Sequence, residues 1–147
     1  MHINRRRFIY TGAAIAAAFT GIGHAFAAAQ TMTVYKDPNC GCCHLWAEAM
    51  TAEGFDVKIE DRDDLTPIKA RLGVPADLQG CHTATVSGYF LEGHVPLEAV
   101  RKLLDEKLPI AGLAVPGMPS GSLGMGDDPN AAYDVFAVAK APGGKPA

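Results

Sequence analysis

Aromatic residues are scarce in this chain. Phe, Trp and Tyr make up 7% of 147 residues, and Trp46 is the single tryptophan. That excludes a large aromatic platform for stacking ligands. A basic surplus is also missing. The formal net charge is −3, and phosphate binding needs a basic face, so no nucleic acid partner is expected. No apolar run reaches the length of a membrane span, and there is no internal repeat. What the chain does have is 48% apolar residues, ample for one core, and four cysteines.

The N-terminal 29 residues read as an export signal rather than as part of a fold. Arg5, Arg6 and Arg7 precede Phe8 and Ile9, and an Ala/Gly-rich apolar stretch follows from Gly12 to about Phe26. Ala25-Phe26-Ala27 and Ala27-Ala28-Ala29 both fit an A-x-A cleavage site. Arg5-Arg6-x-Phe8-Ile9 resembles a twin-arginine signal. The expected product is a periplasmic protein with no stable membrane span after cleavage. Cleavage removes these three arginines and no acid, so the mature chain is more acidic still. The alternative is a retained anchor, for which the apolar stretch is short.

One domain, residues 30–140, is expected to follow, with a flexible tail at 141–147. Thr33 to Lys36 reads as a strand, and Asp37-Pro38-Asn39 ends it. A helix starts near Cys40 to Cys42, with an apolar stripe of Leu45, Trp46, Ala49 and Met50, and Gly54 closes it. Phe55 to Glu60 alternates as a strand with one buried face. Asp63 or Asp64 caps a helix carrying Leu65, Ile68 and Leu72, which Gly73 ends. Thr83 to Val86 and Tyr89 to Leu91 form a hairpin around Ser87-Gly88. Pro96 suits the first position of a last helix whose core face is Leu97, Val100, Leu103 and Leu104. The fold class is thus α/β, in the order β-α-β-α-β-β-α, a thioredoxin-like arrangement. Gly112 to Pro129 reads as an added loop, and Tyr133 to Ala139 as an added edge or cover strand.

All four cysteines fall in the exported part, where thiols are paired, metal-bound or kept reduced by a partner. Two disulfides fit poorly, because Cys42 and Cys43 are sequence neighbours. Cys40, Cys42 and Cys43 open a helix after a strand, where free N–H groups and the helix dipole favour thiolate. Soft sulfur selects Cu(I), Zn(II) or iron–sulfur. Gly41 lets Cys40 and Cys42 face one ion, while Cys43 must point elsewhere. Bridging thiolates around several Cu(I) ions would use all three. Cys40-x-x-Cys43 is equally the spacing of a thioredoxin-type redox pair.

Two further groups of soft donors stand out. Gly80-Cys81-His82-Thr83 occupies the stretch where a thioredoxin usually has a cis-proline facing its redox pair, so Cys81 and His82 are candidates to close the site across space. His94, before the last helix, is a third candidate, against the plainer reading of a surface or capping histidine. His44 reads as exposed, and His2 and His24 leave with the signal. Met118 and Met125 lie in the Gly/Pro loop without the apolar neighbours of core methionines. A thioether prefers Cu(I) to Zn(II), so they tilt the choice toward copper, against simple loop packing. Met50 reads as core.

Lys36-Asp37-Pro38-x-Cys40-Gly41-Cys42-Cys43, Cys81-His82-Thr83-Ala84, Glu92-Gly93-His94-Val95-Pro96 and Gly112-Leu113-Ala114-Val115-Pro116-Gly117-Met118-Pro119 together resemble domain-of-unknown-function family 411. That family includes the CopG-like periplasmic copper proteins. The resemblance runs from about Met32 to Val138. It implies a thioredoxin-like fold, copper at the cysteine cluster and a role in copper resistance, with copper ions and other periplasmic copper-handling proteins as partners. The expected metal residues are Cys40, Cys42, Cys43, Cys81, His82, His94, Met118 and Met125. The competing readings are a thiol–disulfide oxidoreductase using Cys40 and Cys43, and a structural zinc or iron–sulfur module.

Overall fold

The computed structural model describes residues 28–141. The expected signal up to residue 27 and the tail from 142 lie outside the described residues. The described chain runs β1 (Thr31–Lys36), α1 (Gly41–Ala52), β2 (Asp56–Asp61), α2 (Thr66–Leu72), β3 (His82–Val86), β4 (Tyr89–Gly93), α3 (Leu97–Glu106), β5 (Gly112–Val115) and β6 (Phe136–Val138). A single 3-10 turn, Ala76–Leu78, precedes β3.

These elements build one mixed six-stranded sheet in the order β2-β1-β3-β4-β5-β6. The β1–β2 and β4–β5 pairs are parallel, and the other three are antiparallel. Strand alternation gives the sheet two different faces. Met32 and Val34 of β1, Ala84 and Val86 of β3, and Leu91 of β4 form one buried face. Trp46, Ala47 and Met50 from α1 and Val100 and Leu103 from α3 complete the same core. Thr83 and Glu92, a cross-strand pair, belong to the opposite face.

The expected β-α-β-α-β-β-α order is the observed one, with corrections to individual elements. The buried stripe of α1 is Cys43, Trp46, Ala47 and Met50, at i, i+3, i+4 and i+7, whereas Leu45 is 54% exposed. The expected stripe was set one residue off, and the true one carries Cys43 into the interior. β2 is an edge strand whose residues are at most half-buried. Pro96 is the N-cap of α3 and not its first residue. Gly112–Val115, expected as loop, is a fully buried strand. It is a short continuous apolar run without alternation, bounded by Pro116 and Gly117, and its pairing to β4 is invisible locally. The C-terminal addition is therefore two strands with a loop between them. Tyr133–Ala139 contracts to the three residues of β6.

Gly73 ends α2 in the left-handed region, φ 72°, a conformation glycine adopts without a Cβ penalty. The expected Asp63 or Asp64 cap is not the one found: Leu65 is the N-cap of α2, without a side-chain cap, and Asp64 lies one residue earlier, accepting a hydrogen bond from the Thr66 N–H at 2.9 Å.

Candidate metal centre

Two segments meet at one end of the sheet. The turn after β1 delivers Cys40 as the N-cap of α1, with Cys42 and Cys43 in its first turn. The 3-10 turn delivers Cys81 immediately before β3. One sulfur from each of Cys40, Cys42, Cys43 and Cys81 lies within 4.8 Å of the others. Cys40 and Cys43 form a disulfide, and Cys42 and Cys81 are free thiols. The Cys42 sulfur is 3.6 Å from that of Cys40. The Cys43 sulfur is 3.6 Å from the Cys81 carbonyl. Cys43 thus joins the cluster instead of pointing away, because one turn of helix brings it back over Cys40. The four sulfurs come from residues with a backbone gap of 38 positions between Cys43 and Cys81.

The helix end is electrically open. α1 has no side-chain N-cap and no acidic residue in its first turn. Cys40, Cys42 and Cys43 thus lie at its positive dipole end, a setting that favours thiolate.

A second group shares Cys81. Ligand atoms of Cys81, His82 and His94 also lie within 4.8 Å of one another. The Cys81 sulfur is 3.0 Å from His94 Nε2 and 3.4 Å from His82 Nδ1. His94 Nδ1 lies 2.7 Å from the Leu123 carbonyl. A carbonyl only accepts, so Nδ1 carries the proton and Nε2 presents its lone pair to the site. Trp46 walls the centre, its ring 4.6 Å from that of His82, and is fixed by donating Nε1–H to the Val95 carbonyl at 2.9 Å. Neither His82 nor His94 is exposed at all, so the surface reading of His94 is overturned.

Protonation follows from this burial. Burial pushes the Cys81 thiol up to about 12, with help from the neighbouring Cys42. Burial, then His94 and then Lys69, bring His82 down to about 3. His94 is lowered as well, again mainly by burial. Both imidazoles are therefore neutral donors at physiological pH. Cys81 keeps its proton until something displaces it. His82 Nε2 is buried with no hydrogen-bond partner among the described residues. His82 faces the Cys81 sulfur with its other nitrogen, Nδ1, and a neutral imidazole beside a thiol fits a soft or borderline metal ion, whose binding would release the thiol proton.

The Gly/Pro loop also reaches the centre. A Cβ on Gly124 would lie 2.7 Å from the Cys42 carbonyl and 3.0 Å from the Trp46 backbone nitrogen. Gly117 makes a bridge to Gly80. Met125 and Met118 each directly follow one of these two contact points. Met125 is half-buried and Met118 is 55% exposed. His44 is exposed, as expected, 3.2 Å from Glu48. Sequence reasoning missed the buried Lys69, Glu92 and Thr83 beside the Cys81 segment. A lysine on a short helix and a glutamate on a strand carry no local sign of pairing.

Comparison with known proteins gives a consistent picture. A family model described as "Protein of unknown function, DUF411" matches residues 78–125, which hold Cys81, His82, His94, Met118 and Met125. Two solved structures are similar over most of the chain. Copper resistance protein CopG, form 2, is 40% identical with a TM-score of 0.70, covering 76% of this chain and 90% of that one. Form 1 is 41% identical with a TM-score of 0.68, covering 74% and 87%. No curated protein matches.

Proposed function

This chain belongs to the DUF411 family of CopG-like proteins, and from that membership we propose that it is an exported copper-resistance protein binding Cu(I) at its cysteine cluster. The observation that carries the reading is the gathering of four sulfurs within 4.8 Å from two separate segments. Thiolate sulfur suits Cu(I), and imidazole tolerates it. Copper here is cargo. Cys40, Cys42, Cys43 and Cys81 would hold it, with His82 and His94 at the edge shared through Cys81. Four thiolates so close together favour bridging, and hence more than one ion. Met118 and Met125 are candidate thioether donors from the loop that closes over the centre.

The sheet order, with a parallel βαβ unit followed by an antiparallel hairpin, supports a thioredoxin-like assignment. The Cys40–Cys43 disulfide favours a second reading, a thiol–disulfide oxidoreductase. It also links the two, because a two-electron reduction of that disulfide returns two thiols to the copper site. The periplasmic location rests on the arginine-led N-terminal segment and its A-x-A sites. No helix among the described residues is long and apolar enough to cross a membrane.

Cys42 separates the readings. Disulfide exchange needs only an attacking and a resolving thiol, Cys40 and Cys43. A copper cluster needs Cys42 as well. Cys42→Ser is expected to lower Cu(I) stoichiometry or affinity sharply, since a hydroxyl is not a soft ligand. Full copper binding by Cys42→Ser, together with robust disulfide reduction, would establish the oxidoreductase instead.

A further inference from the structure

We propose that Lys69, Glu92 and Thr83 are positioning residues that set the place of Cys81 in the metal centre; the inference rests on the copper reading above. Lys69 and Glu92 form an ion pair with side chains 7% and 0% exposed. Burying two charges is costly and is offset only where the remaining polar groups are satisfied, and apolar replacements often do as well. The pair is nonetheless fully satisfied, and its hydrogen bonds converge on one residue, Gly80. Glu92 Oε1 accepts from the Gly80 N–H at 2.8 Å. Lys69 Nζ donates to the Gly80 carbonyl at 3.2 Å. Thr83 Oγ1 donates to Glu92 Oε2 at 2.6 Å and accepts from Lys69 at 3.1 Å. Both backbone polar groups of the residue before Cys81 are thus held by a buried network drawn from α2, β3 and β4.

Gly80 has no freedom on its other sides. A Cβ there would lie 2.7 Å from Gly93 Cα, and Gly80 bridges Gly117. On the far side of Cys81, His82 is paired to Lys36 in the β1–β3 register. Cys81 is therefore clamped between two fixed points although it lies outside any strand. The remaining sulfurs sit at the N-terminus of α1, whose contact with Cys81 is the Cys43 sulfur against the Cys81 carbonyl, while the Lys69–Glu92 network holds the backbone before Cys81 from the other side. The separation between Cys81 and the α1 sulfurs is consequently set by the Lys69–Glu92 network, which lies on the opposite face of the sheet from the core. Metal ligands must be held to a fraction of an ångström, and loss of the groups that orient them typically weakens binding by about 10–100-fold.

The test uses Lys69→Met/Glu92→Gln, which removes both charges while keeping the volumes close. Cu(I) affinity is measured by chelator competition on the wild type, Cys81→Ser, the double variant and the triple variant. The double variant is expected to fold and to bind Cu(I) about tenfold or more weakly. Adding Cys81→Ser should weaken it no further, because both changes act through one ligand. A folded double variant with wild-type affinity, or losses that simply add, would overturn the proposal. Equal affinity of the wild type and Cys81→Ser would instead remove Cys81 from the copper site. A metal-free readout uses Glu92→Gln alone, which keeps an acceptor for Gly80. Alkylation of Cys81 should accelerate roughly tenfold, as for a segment that opens more often than the whole fold, while Cys42 keeps its rate. Unchanged Cys81 alkylation would overturn the proposal even if the double variant failed to fold.

Discussion

His82 Nε2 is fully buried and has no hydrogen-bond partner among the described residues. An unsatisfied buried nitrogen costs about 1–3 kcal/mol, and protonating it there costs more. The His82 pKa is brought from 6.5 down to about 3, mainly by burial. The unfolded chain therefore binds a proton that the folded chain refuses throughout that interval. The stability is fully present above pH 6.5 and is lost as the pH falls toward 3, at up to roughly 1.4 kcal/mol per pH unit for this one group. Urea midpoints of the metal-free protein should fall from pH 6.5 downward, and His82→Gln should flatten that fall. A midpoint independent of pH down to 4, or an identical fall in His82→Gln, would show that His82 is not the group responsible. At this scale the cysteine triplet was legible in the sequence, because ligand spacing on one turn of helix is a local property. Cys81 and His82 were legible only through their position relative to a thioredoxin-like pattern. Lys69 was not legible at all, and Glu92 stood out only as part of the Glu92-Gly93-His94-Val95-Pro96 motif, with no role attached. Separated by 23 positions, each looks like an ordinary surface charge until the fold buries both.

At the scale of elements, the loop between β5 and β6 packs onto the centre. Gly124 has φ +82°, and a Cβ there would meet the Cys42 carbonyl and the Trp46 backbone nitrogen. Asp127 Oδ1 accepts the Gly124 N–H at 2.6 Å, and the adjacent Leu123 carbonyl fixes His94. Gly124→Ala must lift this segment from α1. The expected cost is about 1–3 kcal/mol of stability, together with weaker Cu(I) binding, because His94 loses the contact that sets its tautomer. Denaturant titration and chelator competition measure the two effects. Unchanged copper affinity in Gly124→Ala would show that the loop covers the site without shaping it. The loop's seat on α1 was not foreseeable from its Gly/Pro-rich composition. β5 escaped for a related reason: four apolar residues followed by Pro116 and Gly117 carry no strand period. The strongly patterned elements were legible, α3 most of all, since its apolar positions recur at helical spacing. In α1 the period was read correctly but its phase was not, and counting Cys43 among the core residues would have corrected it.

The whole molecule combines a sheet order that sets β1 beside β3 with a sulfur cluster that spans the ends of both. That adjacency turns cysteines from two segments into one site. On the proposed reading, an arginine-led, Ala-rich N-terminus would deliver the chain to an oxidising compartment, where the Cys40–Cys43 disulfide and copper would compete for the same sulfurs. The proposed copper function requires the cluster to hold the metal as a unit. The most direct measurement is the metal content of disulfide-reduced protein loaded anaerobically with Cu(I) and desalted, alongside a Cys42→Ser/Cys81→Ser variant loaded identically, with Zn(II) offered in parallel. Copper should be retained by the wild type in preference to zinc and largely lost from the variant. Equal copper retention by both proteins, or retention of zinc in place of copper by the wild type, would contradict the account.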